Sequence, residues 1–270
     1  MTAGEHLVPR RFGYGPDPSQ FADLYAPDGS RRPGTVVLIH GGFWRARFGL
    51  EIIQDVARDL CSRGWVVWNI EYRRVGGGGG WPDTLLDVAA AIDHLAVMNV
   101  DRSRVVAIGH SAGGHLAAWA AGRHTEGRDP SGEQGWGEDL DEAVPGRNPA
   151  VEVTGVISLA GVLDLATAAA EGIGNDAVRS FMGGDQTRRP ARYAATDPLA
   201  QVPIKAAVYA VHGRGDFNVP FEQSLAYVEK ARAAGQEATL VDTEGDHFTV
   251  IDTASVVWPQ VVEALVDLTG

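Results

Sequence analysis

The clearest chemistry in this 270-residue chain lies in Val105-Val106-Ala107-Ile108-Gly109-His110-Ser111-Ala112-Gly113-Gly114-His115-Leu116. The run opens apolar and β-branched, and after Ser111 it continues into Leu116-Ala117-Ala118-Trp119-Ala120-Ala121, a good helix former. Strand, sharp turn and helix, with a serine at the apex, is the arrangement of a nucleophile elbow, G-x-S-x-G. The glycines have a steric reason. A serine held in strained backbone leaves no room for side chains two residues to either side, so Gly109 and Gly113 let strand and helix approach. A chain with 34 glycines could meet the pattern by chance, but the strand before and the helix after argue against it.

A serine hydroxyl is a poor nucleophile until a base removes its proton, and the base needs an acid to hold its tautomer. Suitable groups follow other apolar runs. His40-Gly41-Gly42-Phe43-Trp44 follows 35–39, and Asp164 comes shortly after 153–159. His212-Gly213-Arg214-Gly215-Asp216 follows 206–211, and Glu244-Gly245-Asp246-His247-Phe248 follows 238–241. His247 is the candidate base, and Asp216, Asp164 and Asp246 are candidate acids. His110 adjoins the serine, but its neighbouring position points its side chain away. His40 and His212 end strands and are read as holding loops by hydrogen bonds. Glu71 and Arg73 could pair with each other. No His/Asp/Glu cluster has zinc-like spacing, so neither metal nor cofactor is expected.

The elements that must position these groups alternate. Residues 1 to about 20 read as a loose lead-in, with 21–25 as a short edge strand. Covered strands are expected at 35–39, 65–70, 105–109, 153–159, 206–211 and 238–241. Helices are expected at about 50–63, 81–97, 112–121, 220–234 and 254–268. The five glycines at 76–80 lack a following Lys-Ser/Thr, so they are read as a mobile rim rather than a phosphate loop. A single domain over 1–270 is expected, with a polar surface insertion at about 124–150. Short helical pieces broken by glycine and proline make a small lid-like excursion at about 165–203. Strands alternating with helices imply a mostly parallel sheet with helices on both faces, and ligands bind beyond the carboxyl ends of such strands. The serine, acid, histidine and HGG segments should therefore meet along one edge.

The order Ser111, Asp216, His247, each after its own strand, resembles the α/β-hydrolase superfamily from about residue 21 onward. HGGFW with GHSAGG is similar to the hormone-sensitive-lipase-like esterases and the kynurenine formamidase (arylformamidase) branch. The acid and histidine loops are also similar to those of prolyl-oligopeptidase-type peptidases. The resemblance implies an α/β-hydrolase fold and a triad of Ser111, His247 and Asp216, the acid preferred over Asp164 because the family carries its acid after the penultimate strand. It also implies an oxyanion hole from the N–H of Ala112 with that of Gly42 or Phe43. Trp44, His110, Phe217 and Phe248 are candidate substrate-binding residues, and Trp44 leads because it follows the oxyanion glycines.

A net charge of −12 argues against nucleic acid or an anionic membrane as partner. The single cysteine, Cys61, allows no internal disulfide, and 1–11 hold no apolar signal-like run, so a cytoplasmic setting is expected. The expected reaction is serine-dependent hydrolysis of a small ester or amide. Ester is favoured, arylformamide is the alternative, and a peptidase or a non-catalytic binding protein ranks below both.

Overall fold

The computed structural model describes residues 8–124 and 148–270. Among them, eight strands form one sheet in the order β1-β2-β4-β3-β5-β6-β7-β8. These are β1 (Arg10–Gly13), β2 (Phe21–Tyr25), β3 (Thr35–Ile39), β4 (Val66–Ile70), β5 (Val105–His110), β6 (Gly155–Leu159), β7 (Ala207–Gly213) and β8 (Ala238–Thr243). From β4 to β8 all pairings are parallel, whereas β1 pairs with β2 and β2 with β4 antiparallel.

The period-two alternation of the central strands explains the layers. Val37 and Ile39 of β3, with Val105 and Ala107 of β5, join one core; Val36, Leu38, Val106 and Ile108 join the other. On the first face lie α2 (Asp83–Asp93), α3 (Ala112–Ala121) and α8 (Glu222–Ala233). The second face is covered by α1 (Gln54–Ser62), through Val56, Ala57, Leu60 and Cys61, and by α9 (Trp258–Thr269), through Trp258, Val261, Ala264 and Leu265. Strands buried on both faces need continuous apolar sequence, and Thr35-Val36-Val37-Leu38-Ile39 supplies it. This is the α/β-hydrolase fold.

The N-terminal expectation needs correction. Residues 10–13 form β1, so 21–25 is an inner strand rather than an edge. β1 is held by side chains more than by apolar sequence. Arg11 makes a two-pronged ion pair with Asp23, its guanidinium lies 3.8 Å over the Phe21 ring, and Phe12 packs against Trp68. Lesser shifts occur at helix ends: the last helix starts at Trp258, not near 254. The expected insertion at 124–150 lies almost wholly outside the described residues.

Between β6 and β7, the excursion comprises α4 (Leu165–Ala170), α5 (Ile173–Met182), α6 (Pro190–Thr196) and α7 (Pro198–Gln201). Gly172, Gly174, Asn175 and Asp176 all have left-handed backbone at the start of α5. Arg45, just past the HGG segment, donates to the carbonyls of Gly174 and Asn175 at 2.7 and 2.8 Å, tying this excursion to the loop after β3.

Candidate active site

Ser111 stands between β5 and α3 with φ 58° and ψ −120°, a conformation that costs a non-glycine residue ~1–3 kcal/mol and persists only under firm surroundings. Its N–H donates to the Leu159 carbonyl at 2.8 Å, and its carbonyl accepts from the N–H of Gly114 at 2.9 Å. The turn is as tight as the two glycines imply. A Cβ on Gly109 would sit 2.0 Å from the Gly113 oxygen, and one on Gly113 would sit 2.1 Å from the Ile39 oxygen.

The loop after β3 presses on this turn. A Cβ on Gly41 would lie 2.9 Å from the Ser111 Cβ and 2.7 Å from the His110 carbonyl oxygen. Phe43 and Trp44 follow with left-handed backbone, φ 54° at each. Among the described residues, the N–H groups of Gly42, Phe43 and Ala112 have no hydrogen-bond partner. Behind the loop, His40 Nε2 lies 2.8 Å from Glu71 Oε1, and the Tyr72 hydroxyl donates to the His40 carbonyl at 2.8 Å. Glu71 and Arg73 do not pair. Glu71 takes His40 and Arg74, while Arg73 is bound by Asp87 at 2.7 Å.

At the other end of the sheet edge, the loops after β7 and β8 back onto each other, with the Gly215 N–H on the Gly245 carbonyl at 2.9 Å. This brings Asp216 Oδ2 to 2.6 Å from His247 Nδ1. The same carboxyl accepts the N–H groups of Asn218 and Val219 on Oδ1, at 2.8 and 2.9 Å. Burial alone would push its pKa up, but hydrogen bonds from His212, His247 and the Val219 N–H hold it well below the usual carboxylate range. Among the described residues, neither the Ser111 hydroxyl nor His247 Nε2 makes a hydrogen bond to another group, and both residues are buried. Asp164 is committed elsewhere: it caps α4, taking the Thr167 N–H at 2.9 Å and the Thr167 hydroxyl at 2.6 Å. Asp246 is exposed and folds its own turn through Phe248 and Thr249.

Two of the four residues considered for substrate contact are enclosed by protein. Trp44 is fully enclosed, stacked on Phe181 at 4.9 Å with His115 edge-on at 5.3 Å. His110 is also buried; its Nε2 meets the His247 carbonyl at 2.8 Å, and the two rings lie 4.6 Å apart. It therefore ties the histidine loop to the strand that carries the serine, a contact across 137 residues that local sequence does not announce. Phe217 and Phe248 remain at the surface, 98% and 55% exposed. Sequence reasoning also missed Ser224, whose hydroxyl meets His212 Nδ1 at 2.8 Å.

Among the buried imidazoles, burial pushes His40, His110 and His115 each down to about 3. Their folded-state pKa values are depressed, so below about pH 6.5 the unfolded chain takes up protons first and stability falls with pH. Asp197 opposes them: burial raises its carboxyl to about 7, which stabilises the fold below neutrality. Three groups against one make acidification from pH 7 to 5 destabilising on balance. Urea midpoints measured at the two values should drop accordingly; an unchanged or higher midpoint at pH 5 would contradict this protonation scheme.

The BD-FAE family model matches residues 22–231. Esterase LipC of Mycobacterium tuberculosis is 31% identical over 84% of this chain and 56% of its own. The chain spans about half the length of the curated relatives it matches. A truncated carbohydrate esterase from gut microbiota superposes with a TM-score of 0.74 at 20% identity, covering 98% of both chains. Esterase 2 of Thermogutta terrifontis, solved phosphoramylated by tabun, gives 0.69 at 20% identity over 99% of this chain and 96% of its own. By the extent of the family match, the chain belongs to the BD-FAE family of α/β-hydrolase-like esterases.

Proposed function

We propose that this protein is a serine carboxylesterase for small esters, with Ser111 as nucleophile, His247 as general base and acid, and Asp216 as the group that orients the imidazole. The observation that carries the reading is the 2.6 Å contact between His247 Nδ1 and Asp216 Oδ2, beside a serine held at positive φ. A donor bond from Nδ1 to the carboxylate leaves Nε2 unprotonated and able to accept the serine proton. Ser111 Oγ then attacks the ester carbonyl carbon, and the carbonyl π electrons move to oxygen. The N–H of Ala112, with that of Gly42 or Phe43, would receive this oxyanion; each such donor is worth ~3 kcal/mol. Collapse breaks the C–O bond, and His247 gives its proton to the departing alcohol. Water, deprotonated by His247, attacks the acyl-enzyme, and the acid leaves as Ser111 regains its proton. Phe217 and Phe248, exposed next to the acid and the base, are assigned to the mouth of the site, where they could meet an apolar part of the substrate.

A fluorophosphonate probe should label the protein once, at Ser111, and p-nitrophenyl esters should be turned over. An aryl formamide belongs in the same panel, because HGGFW also fits the arylformamidase reading. Formamide turnover far above ester turnover would replace the ester assignment, and absence of any adduct would remove the serine mechanism altogether.

A further inference from the structure

His212 is buried and shares Asp216 Oδ2 with His247. Its Nε2 faces Asp216 Oδ2 at 3.2 Å and the Val219 carbonyl at 3.0 Å. A carbonyl cannot donate, and a carboxyl held ionised cannot either, so Nε2 must carry a proton. The other ring nitrogen, Nδ1, faces a single group: the hydroxyl of Ser224, fully buried on α8. A serine hydroxyl can give or take a proton, and its only ring neighbour here is that nitrogen. Phe221 packs edge-on to the imidazole at 5.8 Å between centroids, which limits the ring's rotation.

We propose that Ser224 is a positioning residue for the acid: by donating to His212 Nδ1, it fixes the neutral tautomer whose Nε2–H holds Asp216 toward His247. Donation then converges on Asp216, from Ser224 through His212 on one side and from His247 Nδ1 on the other, which leaves the Nε2 of His247 as an acceptor. Without the hydroxyl, Nδ1 loses its buried partner, and only the acceptors on Nε2, Asp216 and the Val219 carbonyl, still favour that tautomer. In the Nδ1–H form its Nε2 lone pair would face the carboxylate, and Asp216 would lose one of the side-chain donors that hold it. The inference rests on the esterase reading, because it assigns Ser224 a role through the acid of that triad.

Two measurements test it. Long-range proton–nitrogen NMR of the wild-type protein should show His212 Nδ1 as the unprotonated, acceptor-type nitrogen and Nε2 as protonated. A protonated Nδ1, in either a neutral or a charged ring, overturns the proposal. Ser224→Ala should lower kcat by on the order of tenfold with KM unchanged, since the chain acts on the acid and not on substrate. A folded Ser224→Ala enzyme with kcat within twofold of wild type also overturns it. If that variant does not fold, the wild-type spectrum alone decides. Failure of the esterase reading shows separately, as a wild-type protein that neither labels with fluorophosphonate nor hydrolyses esters.

Discussion

Ser111→Ala should abolish ester turnover, lowering kcat by at least ~10³-fold, while leaving a folded protein. The chemical half of this expectation is simple. Alanine offers no oxygen, so His247 has no proton to take and no acyl-enzyme can form; residual rate would come only from binding and from the donors around the oxyanion. The structural half comes from the elbow itself. The serine's firm contacts are made by its backbone, through the N–H to Leu159 and the carbonyl to Gly114, and alanine retains both. Its Cβ is also retained, so the positive φ costs the variant the same as the parent. Thermal unfolding should therefore move by no more than ~0.5 kcal/mol equivalent. Loss of activity together with loss of fold would mean that the hydroxyl has a structural role not accounted for here. Retention of activity would dismiss Ser111 as nucleophile.

The second large effect separates two aspartates that are alike in sequence context. Asp216→Asn should reduce kcat by ~10³–10⁴-fold. An amide presented at Oδ2 can turn its NH2 toward Nδ1, which favours the tautomer protonated at Nε2 and blocks proton transfer from serine. The buried position makes matters worse, because Asp216 now accepts from His247, His212 and the N–H groups of Asn218 and Val219. Asp164→Asn should act quite differently. It weakens an α4 cap made with Thr167, a change worth ~1 kcal/mol or less, with activity within a few-fold of wild type. Parallel kcat and unfolding measurements on the pair decide between the acids. If the Asp164 variant is the crippled one, the proposed triad is wrong.

Much of this architecture was legible because it is written in short-range patterns. Thr35-Val36-Val37-Leu38-Ile39 can hardly be anything but a covered strand, and Gly109 and Gly113 bracket Ser111 where a Cβ would strike backbone oxygens. What escaped depends on partners distant in the chain. Arg10-Arg11-Phe12-Gly13 lacks an apolar run, and it becomes a strand only because Asp23, Phe21 and Trp68 wait for its side chains. Trp44 sits close after Gly41 and Gly42 in sequence, yet Phe181 and His115 draw its ring inward. The role of His110 follows from a carbonyl contributed by the loop after β8, and that of Ser224 from a helix face whose inward polar group has no periodic signature. In each case local spacing predicts an element or a neighbour, while the contact that matters is made by another part of the fold.

The sheet's order has one further consequence. The serine hangs from β5, flanked by β3 and β6 in the middle of the sheet, whereas the histidine follows β8, which has β7 alone beside it. Marginal strands fray before central ones, since fewer ladder bonds and neighbours restrain them. The imidazole is thus mounted after an edge strand and the serine after a central one. On the proposed mechanism, opening of the β8 edge alone would remove the proton acceptor and silence the protein while the central strands still stood.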